Sequence, residues 1–415
     1  AAPRSPNGRR RVPMPEWRSQ YRDVKKALRK GLQVDAFFVG KFAFSPYQAC
    51  AHGCLYCDGR AERYWVEGEF DRDIVIRRNA PQILAAEVPK LREKGIVFIG
   101  SGISDGYQPP EKEEKLMPAC GRILAEAGLP AAVLTKSSLV LRDLDIWSEV
   151  QARSGFTLMV SLITLDDRLR AEFEPGASPV EERLEALSVF RGRGCSVGVA
   201  AMPLLPSLCD GDGDVAALAD RLAAIGVDFV LPGGLTLRPG RQKDLFLSAL
   251  GRTHPELLAR YEKLYEENRA SGAPLPAYSR ERQRRMEEIF KSRGLPIVVP
   301  HGVYRDRIPL YDEIDVLIRQ LSRHYASSPK SSLRRLEEAR ARYQSWLLDR
   351  KKFFNRRRRM REEDLTAELK ALASAAGWAG WLGNPKLAAF LREVIIERRT
   401  FDELSLQLRP DGPDP

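Results

Sequence analysis

Between residues 80 and 235 the chain alternates short apolar runs with longer stretches in which apolar and polar positions recur at helical spacing. The runs at 96–99, 131–135, 156–163, 196–202 and 229–235 have strand length. The segments 80–91, 112–127, 141–152, 179–191 and 215–225 between them have helix length. Strands alternating with helical patterns predict repeated β-α units around a parallel sheet. The expected fold is therefore α/β, a partial parallel (β/α)6-type barrel, with its first strand within 34–43. Several runs end in loops of small, hydroxylated or proline residues: Gly100-Ser101-Gly102, Thr135-Lys136-Ser137 and Met202-Pro203. Loops at the carboxyl ends of parallel strands are where such folds place their chemistry.

The alternation fades after residue 250, and 251–326 reads as mainly helical with a short strand at 296–300. A short helix is predicted at 16–30, and a long charged helix after Ser327-Ser328-Pro329. The expected organisation is a basic amino-terminal extension (1–40), the barrel (41–250), a helical completion of the core (251–326) and a basic, mainly helical extension (327–415).

Charge sharpens this division. The formal charge is +11, yet residues 1–40 and 327–415 hold +7 and +6 of it, leaving the middle at −2. The densest patch runs from Lys351 to Arg361, with seven cations in eleven residues interrupted by Phe353 and Phe354. Basic ends on a near-neutral body point to DNA or RNA as a partner, or to a solubilising role. No run of 18 uncharged apolar residues predicts a membrane span. The start, Ala1-Ala2-Pro3-Arg4, lacks the apolar core of a secretion signal, so the expected location is the cytoplasm and the expected state a monomer.

Six cysteines are too few for a disulfide scaffold, but three fall within eight residues as Cys50, Cys54 and Cys57. This C-x3-C-x2-C spacing brings three thiolates from one loop towards one inorganic centre, and thiolates suit both zinc and iron–sulfur clusters. A closed zinc site takes its ligands as two pairs or as a pair with distant histidines, and no second pair follows here. His52, inside the x3 gap, is awkwardly placed to be a fourth ligand. Three thiolates on a 4Fe-4S cluster leave one iron open.

With an aromatic, Tyr56, before the third cysteine, the motif resembles that of the radical S-adenosylmethionine superfamily. It is most similar to the spore photoproduct lyase-like branch, whose members open this region with Asn-Pro-Tyr-x-Gly-Cys-x-His-x-Cys-x-Tyr-Cys. This chain departs from that phrase at Ser45 and Ala49. Further echoes are Ser104-Asp105-Gly106-Tyr107-Gln108-Pro109, Thr135-Lys136-Ser137, Ser161-Leu162-Ile163-Thr164 and Glu174-Pro175-Gly176-Ala177-Ser178, together spanning roughly 42–250.

The resemblance implies that Cys50, Cys54 and Cys57 hold the cluster while its open iron chelates S-adenosyl-L-methionine. An external one-electron donor would then trigger cleavage to a 5'-deoxyadenosyl radical that abstracts hydrogen from a substrate. It places Tyr56 beside the adenine, the alternative being a core aromatic. His52 is a candidate donor near a cluster sulfide or a solvent-facing side chain, and Gly100, Ser101 and Gly102 offer open backbone to the methionyl part of the cofactor or form an ordinary tight turn. Thr135, Lys136, Ser137, Ser161 and Thr164 become contacts to ribose and carboxylate, with Glu174 and Arg183 as further contacts or an ion pair. Ser104 or Asp105 would face the reaction chamber. Arg60 and Arg63 follow the loop as anion contacts or solvated charges, and Cys120 and Cys195 read as core residues.

Spore photoproduct lyases quench a thymine radical with a cysteine just before the Ser/Thr-Asp pair, and Ile103 stands there in this chain. Cys209 is the candidate substitute donor. The expectation is hydrogen abstraction from a nucleic acid or nucleotide-like substrate by a reaction other than that repair. A small molecule or peptide is the alternative substrate, and a non-catalytic iron–sulfur nucleic-acid-binding protein the third reading.

Overall fold

The computed structural model describes residues 16–100, 103–325, 330–357, 361–375 and 377–409. The strands of the main sheet are β2 (Arg29–Lys30), β3 (Phe42–Phe44), β6 (Val97–Ile99), β7 (Ala131–Thr135), β8 (Phe156–Ser161), β9 (Ser196–Leu204) and β10 (Phe229–Gly234). Their order is β10-β9-β8-β7-β6-β3-β2, and every pairing is parallel except β2 on β3. Six parallel strands in sequence order are the partial (β/α)6 arrangement that the alternation predicts. The helices α1 (Ala80–Glu87), α3 (Leu116–Glu126), α4 (Leu144–Arg153), α6 (Val180–Gly192) and α7 (Asp212–Ile225) connect them; α2 (Glu111–Glu114) and α5 (Asp167–Phe173) are short.

The segment 16–30 is not a helix. It forms β1 (Arg18–Tyr21), which with β5 (Asp73–Ile76) and β4 (Tyr47–Gln48) makes a small second sheet. The physical reason lies in where its backbone donors go. Residues 18–21 pair in parallel with 73–76, Val24 N donates to Asn79 Oδ1 at 2.9 Å, and Ala27 N and Leu28 N donate to Glu87 at 3.1 and 2.8 Å. Tertiary partners thus take the donors that helical bonds would have used. The strand expected at 296–300 is also absent; two prolines remove donors, and the segment's tie to the sheet is Val230 N donating to Pro296 O at 2.8 Å.

Strand residues alternate between two cores. Val97, Ile99, Val133, Leu158, Val160, Val197 and Val199 face the connecting helices, where Cys120, Cys195 and Cys209 are also buried. Ile96, Phe98, Ala132, Met159 and Leu231 face the other way, into a core shared with the carboxyl-terminal helices. Those helices follow α8 (Arg241–Thr253), α9 (Leu258–Leu264), α10 (Pro276–Lys291) and α11 (His301–Tyr304), and are α12 (Leu310–His324), α13 (Lys330–Arg356), α14 (Glu362–Ser374), α15 (Trp378–Leu382) and α16 (Pro385–Leu391). Ile314 and Leu317 of α12 and Tyr343 and Leu347 of α13 are buried in this second core. The described residues of 327–415 are mainly helical, as expected, and they pack on the body.

A buried ionic network fastens that packing. Lys41, before β3, meets Asp312 of α12 at 2.7 Å and Glu93 at 3.3 Å, and Lys351 of α13 also pairs with Asp312 and donates to Leu32 O at 2.7 Å. Tyr311 Oη donates to Glu93 at 2.6 Å. Lys351, the first residue of the basic patch, is thus an internal charge, and Phe354 is buried under the Arg92 guanidinium. Arg356 and Arg357 remain exposed; 358–360 lie outside the described residues, as do 1–15.

Candidate active site

The cysteine loop leaves the carboxyl end of β3 and is held mostly through its backbone. Cys50 N donates to Phe70 O at 3.1 Å, Leu55 N to Phe173 O at 2.9 Å, and Gly176 N to His52 O at 2.9 Å. Gly176 is required by this contact, because a Cβ there would lie 2.6 Å from Ala51 O and 2.8 Å from His52 Cα. Arg60 folds back on the loop: Nε donates to Cys54 O at 2.9 Å, one Nη to Gly53 O at 3.0 Å, and the guanidinium pairs with Asp71 at 3.0 Å. It is a clamp on the loop rather than a solvated charge. Gln108 braces the other side, accepting from Ala51 N at 2.8 Å and donating to Ala49 O at 3.2 Å. Ala49, at a glycine position of the similar family phrase, has a left-handed φ of 66°.

Cys50, Cys54 and Cys57 line one cavity of 370 Å³ together with His52, Tyr56, Asp58, Ser104, Asp105, Thr135, Lys136 and Ser161. Among the described residues no three His, Cys, Asp or Glu side chains are arranged around a single ion. The donor set is three soft thiols spread about a cavity, which fits a polynuclear iron–sulfur centre. Burial pushes the Cys54 thiol up to about 12, opposed by Lys136. Such thiols stay protonated until a metal displaces the proton.

Two buried clusters shape the polar half of the cavity. In the first, Asp105 accepts from Thr135 Oγ1 at 2.8 Å, Lys136 N at 2.9 Å and Tyr107 N at 2.8 Å, and contacts His52 Nε2 at 3.1 Å. Burial alone would raise this carboxyl, but His52 and the amide donors outweigh it and hold it below the usual carboxylate range. In the second, Lys136 Nζ lies 3.1 Å from Glu174 Oε1, bonds Ser161 Oγ and sits 5.6 Å from the centre of the Tyr56 ring. Tyr56 Oη donates to Glu174, and Arg183 pairs with Glu174 at 2.9 Å while donating to Ser161 O at 2.7 Å. Burial pushes Glu174 upward, yet Lys136 and Arg183 prevail and bring it down to about 2. Two cations against one carboxylate leave a net positive charge, presented to the cavity by Lys136.

Residues 44–227 match the family model described as the Radical SAM superfamily. An uncharacterized protein of Mycobacterium bovis is 30% identical over 284 residues, covering 67% of this chain and 79% of its own length. The chain belongs to the radical SAM superfamily. It is an enzyme of that class. An uncharacterized protein of Methanocaldococcus jannaschii is 28% identical over 190 residues, 45% of this chain and 69% of that one. Spore photoproduct lyase complexed with dinucleoside spore photoproduct is 16% identical with a TM-score of 0.48, covering 64% of this chain and 78% of that one.

Within this radical SAM fold the three cysteines, His52, Tyr56, Ser104, Asp105, Thr135, Lys136 and Ser161 meet at one cavity, as do Met202 and Pro203. The other expected contacts are placed elsewhere. Glu174 and Arg183 stand behind Lys136 and Tyr56 as their charge partners. Ser137 caps the turn at Ser138–Asp143 by accepting from Leu139 N at 3.2 Å, and Thr164 accepts from Asp166 N at 3.0 Å. Gly100, with φ 120°, lies close against Leu134 O, while Ser101 and Gly102 lie outside the described residues. His52 does not aim a free nitrogen at a cluster sulfide: Nδ1 contacts Gly176 O at 2.8 Å and Nε2 contacts Asp105. Asp105 spends its oxygens on holding groups. Cys209 is buried and does not line the cavity; its sulfur accepts from Leu205 N at 3.2 Å.

Sequence reasoning missed the apolar half of the cavity: Phe37, Phe38, Phe98, Leu134, Ala200 and Leu235. Phe98 and Leu134 lie in the predicted strands or their immediate ends, and strand parity alone would have turned Phe98 away from its neighbours Val97 and Ile99. Phe37 and Phe38 sit in a turn with no periodic signal. No helix among the described residues is long and apolar enough to cross a membrane.

Proposed function

We propose that Cys50, Cys54 and Cys57 hold a 4Fe-4S cluster, that S-adenosylmethionine binds against Tyr56 and Lys136, and that the reaction abstracts hydrogen from a nucleic acid or nucleotide-like substrate. The observation that carries this reading is the meeting of three thiols, an ammonium group and an aromatic ring around one cavity at the strand ends. When bound and given one electron from an outside donor, these cofactors would supply a 5'-deoxyadenosyl radical. The chain's own groups do the positioning. Lys136 offers positive charge to a carboxylate, Tyr56 presents a ring whose hydroxyl is fixed on Glu174, and Asp105 ties the cysteine loop to the end of β7. Apolar walls limit water, which protects a radical and strengthens the ionic contacts.

The nucleotide part of the reading is supported by the +11 charge and the exposed Arg356 and Arg357. Spore photoproduct repair is disfavoured by the placement of its expected donors. Ile103, which has no hydrogen to donate as a thiol does, packs beside the small core of Tyr47 and Phe70, and Cys209 does not line the cavity. Among the described lining residues, thiols are confined to the three cysteines of the loop. A small-molecule substrate is the second reading, favoured by the modest size of the cavity.

Anaerobic reconstitution with iron and sulfide, then dithionite and S-adenosylmethionine, tests the proposal. The expected result is 5'-deoxyadenosine from the wild type and none from Cys50→Ala. A wild-type protein that carries its cluster and is reduced, yet leaves S-adenosylmethionine intact, would refute the reading.

A further inference from the structure

The cavity has two chemically distinct halves. The carboxylates and the ammonium group that line it, Asp58, Asp105 and Lys136, and the imidazole of His52 all belong to the half built by the cysteine loop and the ends of β6 and β7. The other half is Phe37, Phe38, Phe98, Leu134, Met202 and Leu235, with no charge among them. Phe38 and Phe98 are stacked with ring centres 4.8 Å apart and planes at 17°, and Phe37 meets Phe38 edge-on at 4.9 Å.

The Phe37-Phe38 pair is delivered by a specific piece of backbone. It enters from the amino-terminal side of β3, whereas the cysteine loop leaves the carboxyl end. Asp35 Oδ1 accepts from Phe37 N at 2.6 Å and Phe38 N at 3.0 Å, and Asp35 N donates to Gly40 O at 3.1 Å. Val39, a β-branched residue, takes a left-handed φ of 56° inside this turn. That conformation costs about 1–3 kcal/mol and persists only where the surroundings over-determine it. The Arg323 guanidinium covers Phe37 from α12 at 5.3 Å. Both rings are left only partly buried.

We infer that the Phe37-Phe38 turn is the substrate-facing wall of the cavity and that it selects an uncharged planar ring, the heterocyclic part of the substrate, as the group that reaches the radical. This rests on the proposed function and narrows its substrate class. A phosphate or free carboxylate on the reacting group would lose water among phenyl rings, and the Arg323 guanidinium lies over Phe37 without lining the cavity, so the penalty disfavours a charged group there. At 370 Å³ the cavity is near the lower end of small-molecule sites, roughly 300–1,000 Å³, and the proposed cluster and S-adenosylmethionine share it, so any charged remainder of the substrate stays outside.

The test uses the full-length, cluster-loaded, unreduced protein saturated with S-adenosylmethionine, so that the polar half is filled and no turnover occurs. Equilibrium dialysis compares indole with indole-3-carboxylate, the same ring with and without a charge. Indole is expected to bind and the carboxylate to bind at least about tenfold more weakly; Phe38→Ala should weaken indole about tenfold, and Phe38→Leu should recover part of the loss. A thermal melt and S-adenosylmethionine binding matched to wild type establish that each variant is folded. Equal binding of the two probes, or indole binding unchanged in a folded Phe38→Ala, overturns the inference. Loss of S-adenosylmethionine binding or cleavage in the wild type itself would instead overturn the proposed function, and the two failures are read separately.

Discussion

Glu174 illustrates how much of the site depends on a residue that does not line it. Its carboxylate joins Tyr56, Lys136 and Arg183, and its replacement by glutamine leaves two buried cations without their counter-charge. Breaking a buried pair in this way costs about 3–5 kcal/mol. The pH dependence has a definite sign. With a folded pKa near 2 against the ordinary 4.5, Glu174 stabilises the fold fully above its unfolded value and loses that contribution as pH falls towards 2. Denaturant unfolding should therefore show a gap between wild type and Glu174→Gln that is constant from about pH 8 to pH 5 and narrows below it. A gap that changes between pH 6 and pH 8 would show that another group sets it. The sequence offers Glu174-Pro175-Gly176 as a motif but not its geometry. Gly176 is there because the cysteine loop passes within a Cβ's reach, and that proximity arises only when β3 and the end of α5 are brought together.

Among the elements, the strand–loop–helix rhythm was legible because each parallel strand is a short apolar run bounded by small or polar residues. What was not legible was any segment whose backbone bonds are supplied from far away. Residues 18–21 are exposed, polar and aperiodic, and they are a strand only because β5 lies beside them. The Phe37-Phe38 turn shares this character, since its place in the cavity depends on Asp35, on Val39 and on α12. Asp105 is the corresponding link on the polar side, joining the end of β6 to β7 and to the cysteine loop. Asp105→Asn keeps the shape but weakens the charge-assisted bonds to Thr135 and the amides of Tyr107 and Lys136. It is expected to lower stability by about 2–4 kcal/mol in urea unfolding and to lower the iron retained after reconstitution. A variant with wild-type stability and iron content would show that Asp105 does not hold the loop.

At the scale of the whole molecule, the carboxyl-terminal helices are part of the body. Composition marked 327–415 as a basic extension, and charge counting could not distinguish Arg357, which is exposed, from Lys351, which is buried against Asp312. The apolar positions of α13 and α14 close the core beneath Phe98, Met159 and Leu231, so removal of residues 327–415 would expose that surface. Lys351→Met leaves Asp312 with Lys41 as its remaining partner; a loss of about 3 kcal/mol is expected in denaturant unfolding. A change under about 0.5 kcal/mol would assign the packing to apolar contacts alone.

The same three cysteines on which the fold converges make the central claim directly measurable. Electron paramagnetic resonance of the dithionite-reduced, reconstituted protein, recorded with and without S-adenosylmethionine, reports whether one iron of the cluster is open to that ligand. The account predicts a reduced 4Fe-4S signal whose spectrum shifts when S-adenosylmethionine is added. A cluster signal identical in both samples would contradict it.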